Sequence, residues 1–562
     1  MSWACRSKSA LRYLLLALPL AFLAVFFFYP LARILVVSLT AADGGGAETL
    51  RKLASTDYYA RTLWFTAFQA AVSTALTLLL GLPGAYILAR YEFRGQTLLR
   101  ALTTVPFVLP TIVVAAAFSS LLGPQGRLNA WLMAWQNLQQ PPIRLQHTIW
   151  IILLAHVFYN YTVVLRLVGG FWANLNPRLE EAARMLGANR WQVLRQVTLP
   201  LLAPAIGAAA LLVFIFCFTS FGVVLILGGP RFATLEVEIY RQTVHFFDLP
   251  LAAALSLLQI AFTLSLMMVY TRLQARLSVP LQFRPQRTTR RRPRTWRARA
   301  LVGVNVALMA ILLLLPLLAL IERSLTDSAG GHYSLTYYQQ LGVSRRGSIL
   351  FVPPWQAIRN SLLFGGATVA LALLLGTLAA TLLAQPHSRV ARWLDPLFML
   401  PLATSAVTLG FGYLITLDRP PLNLRASPAL VPLAHTLVAL PFVVRSLLPV
   451  LRGIQPSLRE AAAVMGASPW RVWREIDLPI VARATLVGAV FAFTVSLGEF
   501  GATMLIARPE FPTLPLAIYR FLGQPGASNY GQAMAMSTLL MLVCAAGFIV
   551  IERFRLGQMG EF

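Results

Sequence analysis

The sequence predicts an all-α integral membrane protein made of two homologous six-helix halves that follow one another in parallel tandem. Three observations carry this. Of 562 residues, 57% are hydrophobic and 12% charged, about half the charged share of a soluble domain. Twelve windows are apolar enough to cross a bilayer as helices. Residues of the first half also recur in the second at one fixed offset of 279. So few charges cannot coat a water-exposed surface of this size, which excludes a soluble multidomain enzyme.

The first span is the N-terminal one. Arg6, Lys8 and Arg12 precede an apolar run from Tyr13 to Leu39, which at about twice the length of a signal core reads as a retained span. The windows of the first half fall at 13–39, 62–89, 98–122, 148–172, 205–228 and 251–271. Those of the second fall at 301–321, 360–384, 394–417, 428–450, 484–506 and 531–551. An even number puts both termini on one side. With the N-terminus inside, inner segments hold 29 Lys and Arg against 15 in outer ones, and Arg33, Arg166 and Arg445 lie within spans. Setting aside the ten arginines between Arg272 and Arg299 leaves 19 against 15. The excess places both termini in the cytoplasm, and the net charge of +27, from 47 Lys and Arg against 20 Asp and Glu, suits positive-inside loops.

The Arg-rich stretch 284–299 (RPQRTTRRRPRTWRAR) reads as a cytoplasmic linker joining a first half, 1–283, to a second, 300–562. Its charge suits anionic headgroups of the lipid bilayer. Apart from Trp296 it lacks the stacking aromatics of a nucleic-acid site, so no nucleic-acid partner is expected. Cys5, Cys217 and Cys544 are too dispersed for a disulfide framework or a zinc knuckle.

The repeat is extensive. His156 matches His435, Arg166 matches Arg445, Glu181 matches Glu460 and Gly187 matches Gly466. The register continues through Trp191 with Trp470, Pro200 with Pro479, Phe221-Gly222 with Phe500-Gly501, and Ile239-Tyr240-Arg241 with Ile518-Tyr519-Arg520. Six intervening spans give the copies one orientation, hence a pseudo-two-fold axis along the membrane normal and a pathway where the halves meet.

Between the fourth and fifth spans of each half lies a matched loop, Asn176–Pro200 (NPRLEEAARMLGANRWQVLRQVTLP) and Gln455–Pro479 (QPSLREAAAVMGASPWRVWREIDLP). Pro177 and Pro456 suit a helix start. Ala182-Ala183 and Ala461-Ala462 favour helix and keep one face low for an approaching protein. Gly187 and Gly466 can end that helix in the left-handed conformation. Pro200 and Pro479 are expected to mark a break before the fifth span. The result is a helix-turn-helix knob in the cytoplasm.

These loops resemble the EAA loops of ABC importer permeases, and the one-chain duplication resembles the fused permeases of the ferric iron and thiamine subgroup, over nearly the whole chain. The resemblance implies the type I ABC importer permease fold in a bacterial inner membrane. It implies that two copies of a cytoplasmic ABC ATPase carry the ATP and Mg, that an extracytoplasmic solute-binding protein delivers the solute, and that this chain binds no cofactor. Carried over by motif position, coupling falls to Glu181, Ala182, Ala183, Gly187 and Pro200, and to Glu460, Ala461, Ala462, Gly466 and Pro479. Likeness in ATLEVEIYRQ and PTLPLAIYR leans toward thiamine or a thiamine phosphate as substrate, with ferric iron as the alternative.

The chain's two lysines, Lys8 and Lys52, follow no glycine, so no Walker A lysine is present and ATP must be hydrolysed elsewhere. A secondary transporter with twelve spans would need buried coupling acids and no docking loops. One candidate acid is present, Glu499, whose counterpart is Ser220. It either faces the pathway and favours a cation or is structural. Arg166 and Arg445 either reach the inner headgroups or brace the coupling loops. His156 and His435 read as hydrogen-bonded packing residues.

Overall fold

A computed structural model describes residues 17–40, 45–277, 290–327, 332–343, 353–385, 389–418, 420 and 422–556. Arg6, Lys8 and Arg12, and 284–289 of the linker, lie outside them. Among the described residues the chain is helical, apart from two isolated β-bridges. The first half contributes α1 (Ala17–Leu39), α2 (Asp57–Arg90), α3 (Gln96–Val108), α4 (Thr111–Leu122), α5 (Arg127–Gln136), α6 (Ile149–Asn174), α7 (Pro177–Met185), α8 (Arg190–Phe218), α9 (Leu235–Val244) and α10 (Leu249–Leu277). The second contributes α11 (Trp296–Leu325), α12 (Pro354–Leu383), α13 (Arg389–Ala403), α14 (Ala406–Thr416), α15 (Leu430–Gly453), α16 (Pro456–Val464), α17 (Pro469–Gly498), α18 (Gly501–Ile506), α19 (Leu514–Leu522) and α20 (Ala527–Leu556).

Ten helices can each cross a bilayer, and two bent pairs bring the number to as many as twelve. The windows 98–122 and 394–417, expected as single spans, are those pairs, bent by 107° between α3 and the segment beginning with α4, and by 93° between α13 and α14. The first break falls at Leu109-Pro110, where proline disfavours helix in the residue before it. At the second, Ser405 caps α14 by accepting the N–H groups of Val407 and Thr408. The windows 205–228 and 484–506 likewise overran a break, since α8 ends at Phe218 and α17 at Gly498.

The chain forms two compact units, and they do not coincide with the contiguous halves 1–283 and 300–562. One takes Lys52–Glu238 and Leu258–Ser334, so that α11, the opening span of the second half, packs on α2 and α4. The other takes the chain up to Arg51, Ile239–Leu257 and the chain from Leu335 onward, so that α1 packs on α14. The buried stripe of α1, Phe27, Pro30, Ile34 and Ser38, recurs every third or fourth residue. It meets Phe411 and the bare backbone of Gly412. Complementarity of that stripe, not continuity of the chain, decides which unit the span joins.

Within each unit the same close helix contact recurs. A side chain on Gly81 of α2 would meet Val164 of α6 at 2.9 Å, and one on Gly376 of α12 would meet Val443 of α15 at 2.5 Å. Val164 and Val443 keep the offset of 279, whereas Gly81 and Gly376 differ by 295. The 16 extra residues of the first half lie in the connection that contains α5.

Candidate coupling site

Each loop is built from local capping interactions. In the first, Asn176 accepts the Arg178 N–H and Pro177 opens α7. The helix ends where Gly187 adopts φ +88, with its N–H on the Arg184 carbonyl and the Ala188 N–H on the Ala183 carbonyl. Gly466 does the same at φ +83, with bonds to Ala463 and, from Ala467, to Ala462. Both are left-handed glycine caps that an L side chain would strain. The next helix starts at once. Asn189 and Gln192 form a reciprocal capping box, and Ser468 accepts the Arg471 N–H ahead of α17.

Pro200 and Pro479 do not break the chain, contrary to the expectation from sequence. Each follows a single wide turn, Leu194–Thr198 or Trp473–Asp477, in which Leu199 and Leu478 donate five residues back to Leu194 and Trp473. The widened turn accommodates a proline that has no N–H, so α8 and α17 run unbroken from loop to span.

The knobs are apolar where they project furthest. Met185 and Leu186 are 88% and 90% exposed, and the matched Val464 and Met465 are 89% and 81% exposed. Trp191 and Trp470 lie beside them at 65% each. Glu181, Ala182, Gly187, Glu460, Ala461, Gly466, Pro200 and Pro479 are exposed as well. Ala183 is half-buried and Ala462 buried, so the second alanine of each pair faces its own chain and not an incoming protein. Sequence reading passed over the four tip residues. The available signal was an apolar pair directly before each matched glycine, where a soluble turn would be polar.

Arg166 and Arg445 brace other elements than expected. Arg166 donates to Thr104 Oγ1 of α3 at 2.9 Å. Arg445 lies 3.5 Å from Asp395 and donates to the Met399 sulfur, both on α13. In each unit the arginine therefore holds the first arm of the bent pair. The arginine that reaches a loop is Arg90, at the end of α2, with its Nη2 2.9 Å from Glu180 Oε1. Arg291 of the linker is spent within the protein, donating to the Tyr86 and Tyr91 hydroxyls at 3.2 Å each.

The candidate pathway residues sit in a hydrogen-bonded core of each unit. His156 lies between Ser73, at 3.0 Å, and Ser220, at 2.8 Å. His435 lies between Ser496 and Thr503, both at 2.8 Å, and Glu499 Oε2 is 3.4 Å away. The Glu499 carboxylate is consumed locally. Oε1 accepts the Ala502 N–H at 2.8 Å, and Oε2 accepts the Thr503 N–H at 2.9 Å and its hydroxyl at 2.5 Å. It thus restarts the helix after the break, where backbone donors at membrane depth have no water to turn to. This geometry favours the structural alternative for Glu499.

A sequence profile described as binding-protein-dependent transport system inner membrane component matches twice, at residues 79–279 and 372–555. Each match contains one of the two loops. The thiamine transport system permease protein ThiP of Escherichia coli is 28% identical over 87% of this chain and 88% of its own length. The ThiP of Brucella abortus strain 2308 is 29% identical over 94% of both. A solved chain of a bacterial ABC transporter that imports the acidic polysaccharide alginate aligns over 49% of this chain and 99% of its own, at 17% identity and a TM-score of 0.42.

Proposed function

This chain belongs to the family of binding-protein-dependent transport system inner membrane components, and on that premise we propose that it passes thiamine or a thiamine phosphate inward by alternating access. Both termini and both loops lie in the cytoplasm. Two copies of a separate ABC ATPase seat on the loops, hydrolyse ATP with Mg, and drive the cycle, and an extracytoplasmic solute-binding protein supplies the solute. The chain itself binds no nucleotide.

The observation that carries the substrate is the likeness of this chain, over nearly all of its length, to permeases named for thiamine transport. The pair of matched knobs with bare apolar tips supports the ATPase partnership. Exposed apolar tips of this kind suit burial by a partner protein, and the helices that follow them, α8 and α17, continue unbroken into spans.

Reconstitution tests both parts. Proteoliposomes holding the chain, its ATPase and its binding protein should accumulate labelled thiamine only when ATP and Mg are present on the ATPase side. Accumulation of ferric iron and not thiamine would move the assignment to the iron alternative. Concentrative uptake by the chain without any ATPase would overturn the mechanism in favour of a secondary transporter.

A further inference from the structure

The two loops are alike in outline but fastened differently. Arg90 is buried at the end of α2. Besides its 2.9 Å bond to Glu180, it donates through Nη1 to the Leu175 carbonyl at 3.4 Å. Glu180 also accepts the Thr198 hydroxyl at 3.3 Å. One ion pair, with side chains 6% and 19% exposed, therefore joins the end of α2, the end of α6, the knob helix α7 and the wide turn of α8. The linker holds the same helix end from another direction. The Arg291 N–H donates to the Arg90 carbonyl at 3.0 Å, and the Glu92 N–H to the Arg291 carbonyl at 3.1 Å.

In the second unit the matched positions carry different charges. Glu180 becomes Arg459 and Thr198 becomes Asp477, and the two form an ion pair at 2.8 Å. That pair ties α16 to the turn of α17. Its side chains are 45% and 19% exposed. Arg452, at the end of α15, donates to the Leu383 carbonyl of α12 and so joins span to span.

We propose that Arg90 is a positioning residue that makes the first loop a rigid extension of α2, so that a force on that knob moves the span directly. The second loop acts through its own stalk, α17. A guanidinium is suited to this because its fixed fork reaches a carboxylate and a carbonyl together. The proposal rests on the reading of the loops as ATPase seats.

The test uses the assembled transporter and two readouts. One is thiamine imported per ATP hydrolysed. The other is the distance between spin labels on Arg94→Cys and Arg178→Cys, both exposed positions, in a chain carrying Cys5→Ser. With Arg90 present the labels should hold one narrow distance through the ATP cycle. Arg90→Ala should broaden it and cut import per ATP about tenfold, within the range of ordinary coupling energies, while ATPase association stays within about threefold. Arg90→Lys keeps the charge without the fork and should fall between. Asp477→Ala should leave import per ATP within about threefold of the parent. An unbroadened distance in Arg90→Ala, or an equal loss in Asp477→Ala, overturns the proposal. If Arg90→Ala does not assemble, Arg90→Lys decides by the same readouts. If the parent imports no thiamine, the substrate reading fails by itself, and the label distance alone decides the clamp.

Discussion

Replacing both tip residues of the first knob, Met185→Ser with Leu186→Ser, should weaken ATPase binding without harming the fold. The two side chains are 88% and 90% exposed, so nearly all of their apolar surface is available to a partner and almost none supports the chain. Full burial of such a side chain contributes about 1.5–3 kcal/mol. If the ATPase covers half of each, the pair contributes about 1.5–3 kcal/mol, a change of roughly ten- to 150-fold in affinity. The matched Val464→Ser with Met465→Ser should act on the other ATPase copy, slightly less because valine is smaller. The assay is titration of fluorescently labelled ATPase against purified chain in detergent, with thermal unfolding recorded on the same samples. Affinity within about threefold of the parent, with unfolding unchanged, would refute these tips as the seat. A lower unfolding temperature would instead show that they pack within the chain.

The remaining predictions concern the residues that shape the knobs and the spans. Gly187→Ala should strain the left-handed cap by about 1–2 kcal/mol and lower both ATPase affinity and uptake, whereas Ala188→Gly should be mild, as titration and uptake assays will show. Glu499→Gln removes a charged acceptor of three donors and should destabilise the second unit by about 1.5–3 kcal/mol, seen as a lower unfolding temperature. The KM for thiamine should stay unchanged, and a tenfold rise in KM at unchanged stability would return Glu499 to the pathway. Gly376→Val places methyl groups against Val443, where even a Cβ would sit at 2.5 Å. Overpacking of that kind costs about 1–3 kcal/mol or more, measurable as loss of thermal stability, with Gly366→Val, at an open position of the same helix, as the control.

Much of the fold was legible because lipid imposes a single rule on the backbone. A stretch of about 20 apolar residues has few alternatives to a helix, so ten of the windows fall on long helices, two of them, 205–228 and 484–506, running past the helix end. What hydropathy could not show is where an apolar run changes direction. The windows 98–122 and 394–417 stay greasy across their bends, and only Pro110, or Ser405 as a cap, marks the break. The exchange of α1 and α11 between units was hidden for a related reason. Which span a helix packs on depends on the fit of its buried stripe, and Phe27, Pro30, Ile34 and Ser38 look like any other apolar face until Gly412 is set beside them.

The loops were the most legible part, because a left-handed glycine and a helix-opening proline leave fixed marks at fixed spacing. Their fastening was not legible, since it is carried by position and not by residue type. Glu180 and Arg459 are matched residues of opposite charge, and the acidic Asp477 matches the neutral Thr198. Yet each pair spans the same gap between knob and stalk, at 3.3 Å in one unit and 2.8 Å in the other. Comparing the copies letter by letter scores these sites as divergent, although the contact is retained. The sign reversal is also what leaves a carboxylate at Glu180, which bonds the neutral Thr198 hydroxyl and still accepts Arg90 in the first unit. In the second unit the matched position holds a cation, Arg459, which offers an arginine no such acceptor. On the proposed reading, that reversal, together with Asp477 in place of Thr198 and Arg90 at the end of α2, gives two similar knobs different fastenings.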